Sequence, residues 1–216
     1  SREQHMVVKS HALQIENYSL SFLEQSFSCP VYFENDANAA MMAEDIHQYQ
    51  NAIYLSLNNT LGGAFCIDGK LFTGQNQKAG EFGHMILVPG GRKCYCGKQG
   101  CFSAYCSGHL LVDDQTRDYE HFFQLLRSGS REESEKWQLF SVAIGSLSAL
   151  LDCDIILGGT IGAYMIEDDR RRLQQLVRSD YHYAPSSDFI CLGYKDVDIC
   201  ACGAAISYVD EFVKSL

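Results

Sequence analysis

Residues 31–49 read VYFENDANAAMMAEDIHQY, and this stretch decides the fold class. VYFE, at 31–34, combines β-branched and aromatic side chains and predicts a strand. The run DANAAMMAEDIHQY, at 36–49, is rich in alanine and methionine, which lose little freedom in a helix, and predicts one. Asp36 stands at its start, where a carboxylate can accept from the N–H groups that lack partners in a first helical turn. Strand, polar turn and helix together form the βα unit of layered α/β proteins. Upstream of the break at Pro30, residues 11–26 place Leu13, Leu20 and Leu23 on one face and predict a short amphipathic helix.

Downstream, NAIYLSLN (51–58) and GGAFCIDGKLF (62–72) predict strands around a glycine-containing turn, and Asp68–Gly69 is a hairpin signal. HMILV (84–88) predicts a further strand, and residues 102–127 predict helix in pieces. EESEKWQLFSVAIGSLSALL (132–151) is acidic at its front and apolar behind, which predicts a helix. CDIILGG (153–159) predicts a buried strand and a turn; EDDRRRLQQLVRS (167–179) a helix; DFICLGY (188–194) a last strand; and residues 203–216 a last helix. The late β-α-β-α order supports an α/β architecture.

The chain has 216 residues, 46% of them hydrophobic, enough for one substantial core. Its net charge is −10, with 17 Lys and Arg, which excludes a broad basic nucleic-acid surface on this stretch. No window reaches the apolar length of a membrane span, and the first ten residues lack a signal-peptide core. The 10 cysteines are unevenly placed: Cys66, Cys153, Cys191 and Cys202 sit in apolar surroundings, whereas Cys94, Cys96 and Cys101 cluster. A disulfide framework fits a secreted chain; a reducing cytoplasm is the simpler account and is the expected location.

The cluster lies in GHMILVPGGRKCYCGKQGC, at 83–101. His84, Cys94, Cys96 and Cys101 form a Cys3His set suited to a tetrahedral structural zinc site, in which four protein ligands leave no position for an activated water. The spacing is not the usual CxxC knuckle, and a redox or disulfide cluster is the other reading. Cys106 follows inside an expected helix and is expected to pack rather than ligate.

ENDANAA (34–40), AGEFGHM (79–85) with CYCGKQGC (94–101), IILGG (155–159) and GAAI (203–206), in this order, resemble the motifs of the ROK family of repressors, open reading frames and sugar kinases. The resemblance runs from about residue 30 to residue 212. It implies the actin-like, ribonuclease-H-like α/β fold, with residues 31–216 as the second, sugar- or effector-binding lobe containing zinc loop 84–101. Residues 1–30 would be a connecting helix and the remnant of a preceding lobe, because no phosphate loop of the family's first-lobe type precedes Asn35.

The same resemblance implies site residues. Asp36 matches the general base for a sugar hydroxyl and Asn35 the residue that orients the sugar; the bland alternatives are a helix cap and a turn residue. Glu81 matches a carboxylate that accepts from sugar hydroxyls, and His84 would hold zinc with one nitrogen and face the sugar with the other. Two positions depart from the family pattern. Ser103 stands where a glutamate is usual, a shorter and uncharged contact. In NNTLGGA (58–64), Asn58 and Thr60 replace two glycines of a phosphate-binding stretch, and Gly62 remains. Gly158 and Gly159 match a nucleotide-side turn, though a tight turn after a buried strand explains them equally.

These departures favour a sugar-responsive transcriptional regulator, with this chain as its effector-binding and homo-oligomerising part. DNA would be bound only through an N-terminal domain outside it. The alternative is an ATP-dependent kinase of a hexose or amino-sugar, with ATP and Mg as its requirements. The expected partner is a small sugar or sugar phosphate, with no membrane role.

Overall fold

The structure is a computed structural model and describes residues 5–10, 13–112, 116–195 and 198–214. The chain opens with an antiparallel hairpin, β1 (Met6–Ser10) and β2 (Ile15–Ser19), then a short helix, α1 (Ser21–Ser26). The helix expected over 11–26, and with it a connecting helix over 1–30, is therefore corrected. Ile15–Ser19 is a strand because its amides find partners on Met6–Ser10, and tertiary pairing overrides a weak helical periodicity. Residues 31–35 form no strand: VYFE pairs with no neighbouring strand.

Helix α2 (Asp36–Ala43) and a 3-10 turn at Ile46–Gln48 lead into the main sheet. Its strands are β3 (Asn51–Leu57), β4 (Leu61–Ile67), β5 (Lys70–Leu71), β6 (Asp154–Gly158) and β7 (Ile190–Leu192), in the order β5-β4-β3-β6-β7. β3 pairs antiparallel with β4 and parallel with β6, and β6 pairs parallel with β7. β3 is central, so every residue from Ala52 to Leu57 is buried and the segment reads as a continuous apolar run.

Between the sheet's two halves lie α3 (Ser103–Cys106), α4 (Gly108–Leu111), α5 (Tyr119–Ser128) and α6 (Arg131–Leu151). The chain then adds α7 (Gly159–Gly162), α8 (Glu167–Asp180) and α9 (Ile199–Lys214). On one face, Phe102, Phe123, Trp137, Phe140, Ile144 and Leu173 build the larger core under α5, α6 and α8. On the other, Ala37, Ala40 and Met41 of α2 pack with Tyr54, Ile156 and Ile199. α2 and α9 cross closely because Gly203 carries no side chain: a Cβ there would run into the Ala39 carbonyl. HMILV forms no strand; only Ile86 makes a bridge, to Cys101, so the segment is bent around the cysteine cluster. All ten cysteines are thiols, so no disulfide framework forms. No helix of the described residues is long and apolar enough to cross a membrane.

Candidate functional site

Asn35, in extended conformation, is the cap of α2, and its Oδ1 accepts from Ala37 N at 3.0 Å and Asn38 N at 3.2 Å. The cap expected from Asp36 is thus supplied by its neighbour. Asp36 is the first helical residue, exposed, with Oδ1 accepting from Ala37 N at 2.9 Å. Glu34 braces the junction, accepting from Asn35 N and from Asn38 Nδ2. The sequence reading passed over it, although Glu34 and Asn38 stand four apart across the turn.

A second turn, the 3-10 segment Phe82–His84, carries Glu81 and His84. It packs on β4 through glycines: Gly80 is held at φ +88° with its Cα against the Gly63 carbonyl, and a side chain at Gly63 would strike the Phe82 ring. On the neighbouring residue, the Cβ position of Gly62 faces Ala37 at 3.6 Å. Successive strand residues point to opposite faces, so α2 and the Glu81–His84 turn flank the same Leu61–Gly63 segment from its two sides. The first turn of α2, through Ala37, and the Glu81–His84 turn, through Gly80 and Gly83, thus meet the same end of β4, despite some 45 residues between them in sequence.

His84, Cys94, Cys96 and Cys101 come together, with their ligand atoms all within 4.8 Å of one another. Cys94 Sγ lies 3.7 Å from His84 Nδ1, and Cys96 Sγ 3.7 Å from Cys101 Sγ. A tetrahedral zinc with ordinary bond lengths requires about 3.8 Å between sulfurs and about 3.6 Å between sulfur and nitrogen, so the donor set fits that ion. Burial, then the neighbouring Cys96 and Cys94 sulfurs, push the Cys101 thiol up to about 12; a divalent cation reverses that balance by binding thiolate. The loop is held independently by Leu87 N donating to Gly100 O and Phe102 N to Met85 O, each at 2.8 Å. Cys106 is buried in α3 and outside the cluster.

The imidazole Nε2 of His84 lies 4.0 Å from Glu81 Oε2, so its two nitrogens face the thiols and the carboxylate respectively. Tyr95 packs edge-on against the His84 ring, with centroids 5.3 Å apart. Burial raises the Tyr95 phenol above its ordinary range, while the nearby Ser103 hydroxyl works against that shift. Ser103 itself is buried behind Gly83, and its Oγ lacks a hydrogen-bond partner of ordinary geometry. Tyr95 was missed in the sequence because only the tertiary turn brings the residue between two cysteines onto the histidine.

At the carboxyl ends of parallel strands β3 and β6 lies a cleft of about 400 Å³, lined by Tyr54, Asn58, Gly159, Tyr164, Ile199 and Cys200 among others. Gly158 ends β6, buried against the Tyr54 phenol, and Gly159 turns the chain at φ +78°. Asp36 is within electrostatic reach of this cleft: after burial, its charge is the next cause that raises the Cys200 thiol, and it also acts on Tyr54.

A five-stranded mixed sheet flanked by helices, with a His/Cys metal cluster beside one strand end and a cleft at the switch between β3 and β6, defines an actin- and hexokinase-like protein. The ROK family model matches residues 1–206, and the chain belongs to the ROK family. The match starts at residue 1, so the β1–β2 hairpin is part of the family region, and the resemblance is not confined to a second lobe from residue 30. The chain is 31% identical over 201 residues to an N-acetylmannosamine kinase of Vibrio cholerae, covering 86% of this chain and 68% of the relative. It is 34% identical over 109 residues to the xylose repressor of Bacillus spizizenii, covering 48% of this chain and 28% of that protein. Among solved structures, a ROK hexokinase from Thermus thermophilus superposes with a TM-score of 0.73 at 25% identity, covering 99% of this chain and 76% of the hexokinase.

Proposed function

We propose that this chain carries the sugar site and the general base of an ATP-dependent sugar kinase acting on a hexose or amino-sugar. The observation that carries the reading is the position of Asp36. Its neighbour Ala37 packs at the Gly62 end of β4, whose other face the Glu81–His84 turn covers, and the Asp36 charge acts on Cys200 and Tyr54 at the cleft between β3 and β6. Phosphoryl transfer needs a carboxylate between a hydroxyl-bearing acceptor and the donor's cleft. In this reading Asn35 and Glu81 hold sugar hydroxyls and His84 presents Nε2 to another. Zinc, on His84, Cys94, Cys96 and Cys101, keeps the imidazole and its loop in place without taking part in the transfer. Ser103 sits too deep behind Gly83 to replace a glutamate, which leaves the hydroxyl it would have held to Tyr95. Gly62, Gly158 and Gly159 border the donor's side, where ATP and Mg would be required. The high share of kinases among the similar proteins supports the choice.

The test is sugar-dependent ADP release by the natural protein carrying this chain, against N-acetylmannosamine, N-acetylglucosamine, glucose and mannose. Asp36→Asn is expected to lower kcat by at least about a hundredfold with sugar binding retained, in keeping with loss of a general base. Binding of a sugar without any turnover would refute the kinase reading.

A second reading, a sugar-responsive transcriptional regulator that forms homo-oligomers and binds DNA through a further domain, is favoured by one contact. The Asn58 carboxamide accepts from Thr160 N at 2.8 Å, inside the donor's cleft. Sugar-dependent change in DNA binding by the natural protein, with no ADP release, is its expected signature.

A further inference from the structure

The apolar run of α2 ends at Glu44, and a carboxylate is out of place there. It stands at the carboxyl end of the helix, where the main-chain carbonyls already concentrate negative charge. It is buried, and among the described residues no lysine, arginine or histidine pairs with it. The ammonium of Lys195, beside its partner in sequence, turns away to Met165 O at 2.9 Å. Burying a carboxylate without a cation is costly unless its oxygens are given donors. Here one donor serves both: Tyr194 N reaches Oε1 at 2.9 Å and Oε2 at 3.1 Å, across 150 positions of sequence.

Tyr194 lies just beyond the end of β7, and the residue before it links Glu44 to the next strand. Gly193 N donates to Leu157 O of β6 at 2.9 Å. A Cβ on Gly193 would strike Glu44 Oε1 and crowd the Gly158 Cα, so carboxylate, Gly193 and Gly158 stack with no room for a side chain. Gly158 rests in turn on the Tyr54 phenol, whose oxygen accepts from Gly159 N at 3.1 Å. After burial, the Glu44 charge is the next cause that raises the Tyr54 phenol, in keeping with this close packing. The same helix carries Asp36 at its other end, about 12 Å away by helical rise.

We infer that Glu44 is a positioning residue: its carboxylate clamps the helix that carries Asp36 to the ends of β7 and β6, and so sets Asp36 against the Gly158–Gly159 turn. The clamp requires an acceptor of the right length. Glutamine supplies one through its amide oxygen; alanine supplies none and leaves Tyr194 N without this partner. The clamp does not depend on phosphoryl transfer. Its consequence for turnover rests on the sugar-kinase reading, in which Asp36 is the base and the turn borders the donor. Misplacing a base costs rate rather than sugar affinity.

The test compares Glu44→Ala, Glu44→Gln and Gly193→Ala in the natural protein carrying this chain. Hydrogen exchange, read by mass spectrometry on peptides, is expected to quicken about tenfold in Glu44→Ala, the worth of one lost hydrogen bond, across residues 192–195 and also across residues 157–163, with α6 unchanged. Gly193→Ala, whose methyl pushes on the carboxylate, should give the same pair of changes and serves if Glu44→Ala does not fold. Glu44→Gln should stay within about threefold of wild type in both segments. In the ADP-release assay, Glu44→Ala should lower kcat about tenfold with the sugar KM within about threefold, and Glu44→Gln should restore it. Faster exchange confined to 192–195, acceleration spread equally over α6, an unchanged kcat in Glu44→Ala, or a glutamine variant as impaired as the alanine one would each overturn the inference. A wild type that releases no ADP yet shows the paired exchange response would sink the kinase reading and leave the clamp standing.

Discussion

Replacing Cys101 with serine should detach the 84–101 loop from its metal and lower thermal stability by a predictable amount. Cys101 is fully buried, and its sulfur lies 3.7 Å from Cys96 Sγ, so serine leaves the packing nearly unchanged while substituting a poor zinc ligand. His84 and Cys101 bound a loop of about 18 residues. Treated as one cross-link, closure of a loop of that length is worth about 3 kcal/mol through the unfolded chain. For a chain of this size that corresponds to a fall of about 6–12 °C in Tm. The loss is local at first, because Leu87–Gly100 and Phe102–Met85 still close the base of the loop by backbone hydrogen bonds. Differential scanning calorimetry paired with elemental analysis checks it, with Cys106→Ser, a buried thiol outside the cluster, as the control that keeps its metal. Chelation of wild type should reproduce the Cys101→Ser curve. Protein purified under reducing conditions that contains no metal, and melts within about 1 °C of the variant, would refute the zinc reasoning.

Two further outcomes are expected. Asp169, buried on α8, receives both Nε (3.1 Å) and one terminal nitrogen (2.7 Å) of Arg127 on α5 and also accepts from Ile166 N at 2.9 Å. Asp169→Ala should cost about 2–3 kcal/mol, the low end for a broken buried pair since Arg127 is one-third exposed, read from urea unfolding midpoints. Glu44 is buried beneath Tyr194 N, which donates to both its oxygens; burial raises its pKa above 4.5 and the Tyr194 hydrogen bond only partly offsets this. A pKa raised on folding means the folded state holds the proton more tightly. Stability from this group is therefore complete below about 4.5 and is lost as pH rises through the folded value. Glu44→Gln should remove that slope, so the gap between variant and wild type widens with pH in thermal melts taken from pH 4 to 8.

The α/β class, the strands at 51–57 and 154–158 and the helices at 131–151 and 167–180 were legible because the strands' continuous apolar runs and the helices' one-sided apolar patterning agree with the burial they receive. The metal cluster was legible for a different reason. Thiols and imidazole within 18 residues carry their own chemistry, and glycines at 90, 97 and 100, all at positive φ, let the chain fold back on them. VYFE and HMILV failed as strands because strand composition describes a side-chain fit, and neither segment has a continuous partner edge. Residues 15–19 failed in the opposite sense, pairing with a neighbour that no local pattern announces.

Sequence alone therefore picked out the candidate residues: Asp36 at a helix start, His84 with three cysteines, and Asn58 where the family resemblance expects a glycine. Residue type and local spacing suffice for that, since capping, metal ligation and turn formation act over a few residues. Only the tertiary structure decided what those residues face. β4 carries α2 on one side and the Glu81–His84 turn on the other, and β3 lies beside β6, so that Asn58 reaches Thr160 across 102 positions. Such contacts depend on the order in which strands pair, which is set by long-range packing of the sheet's two faces rather than by any segment's own preference.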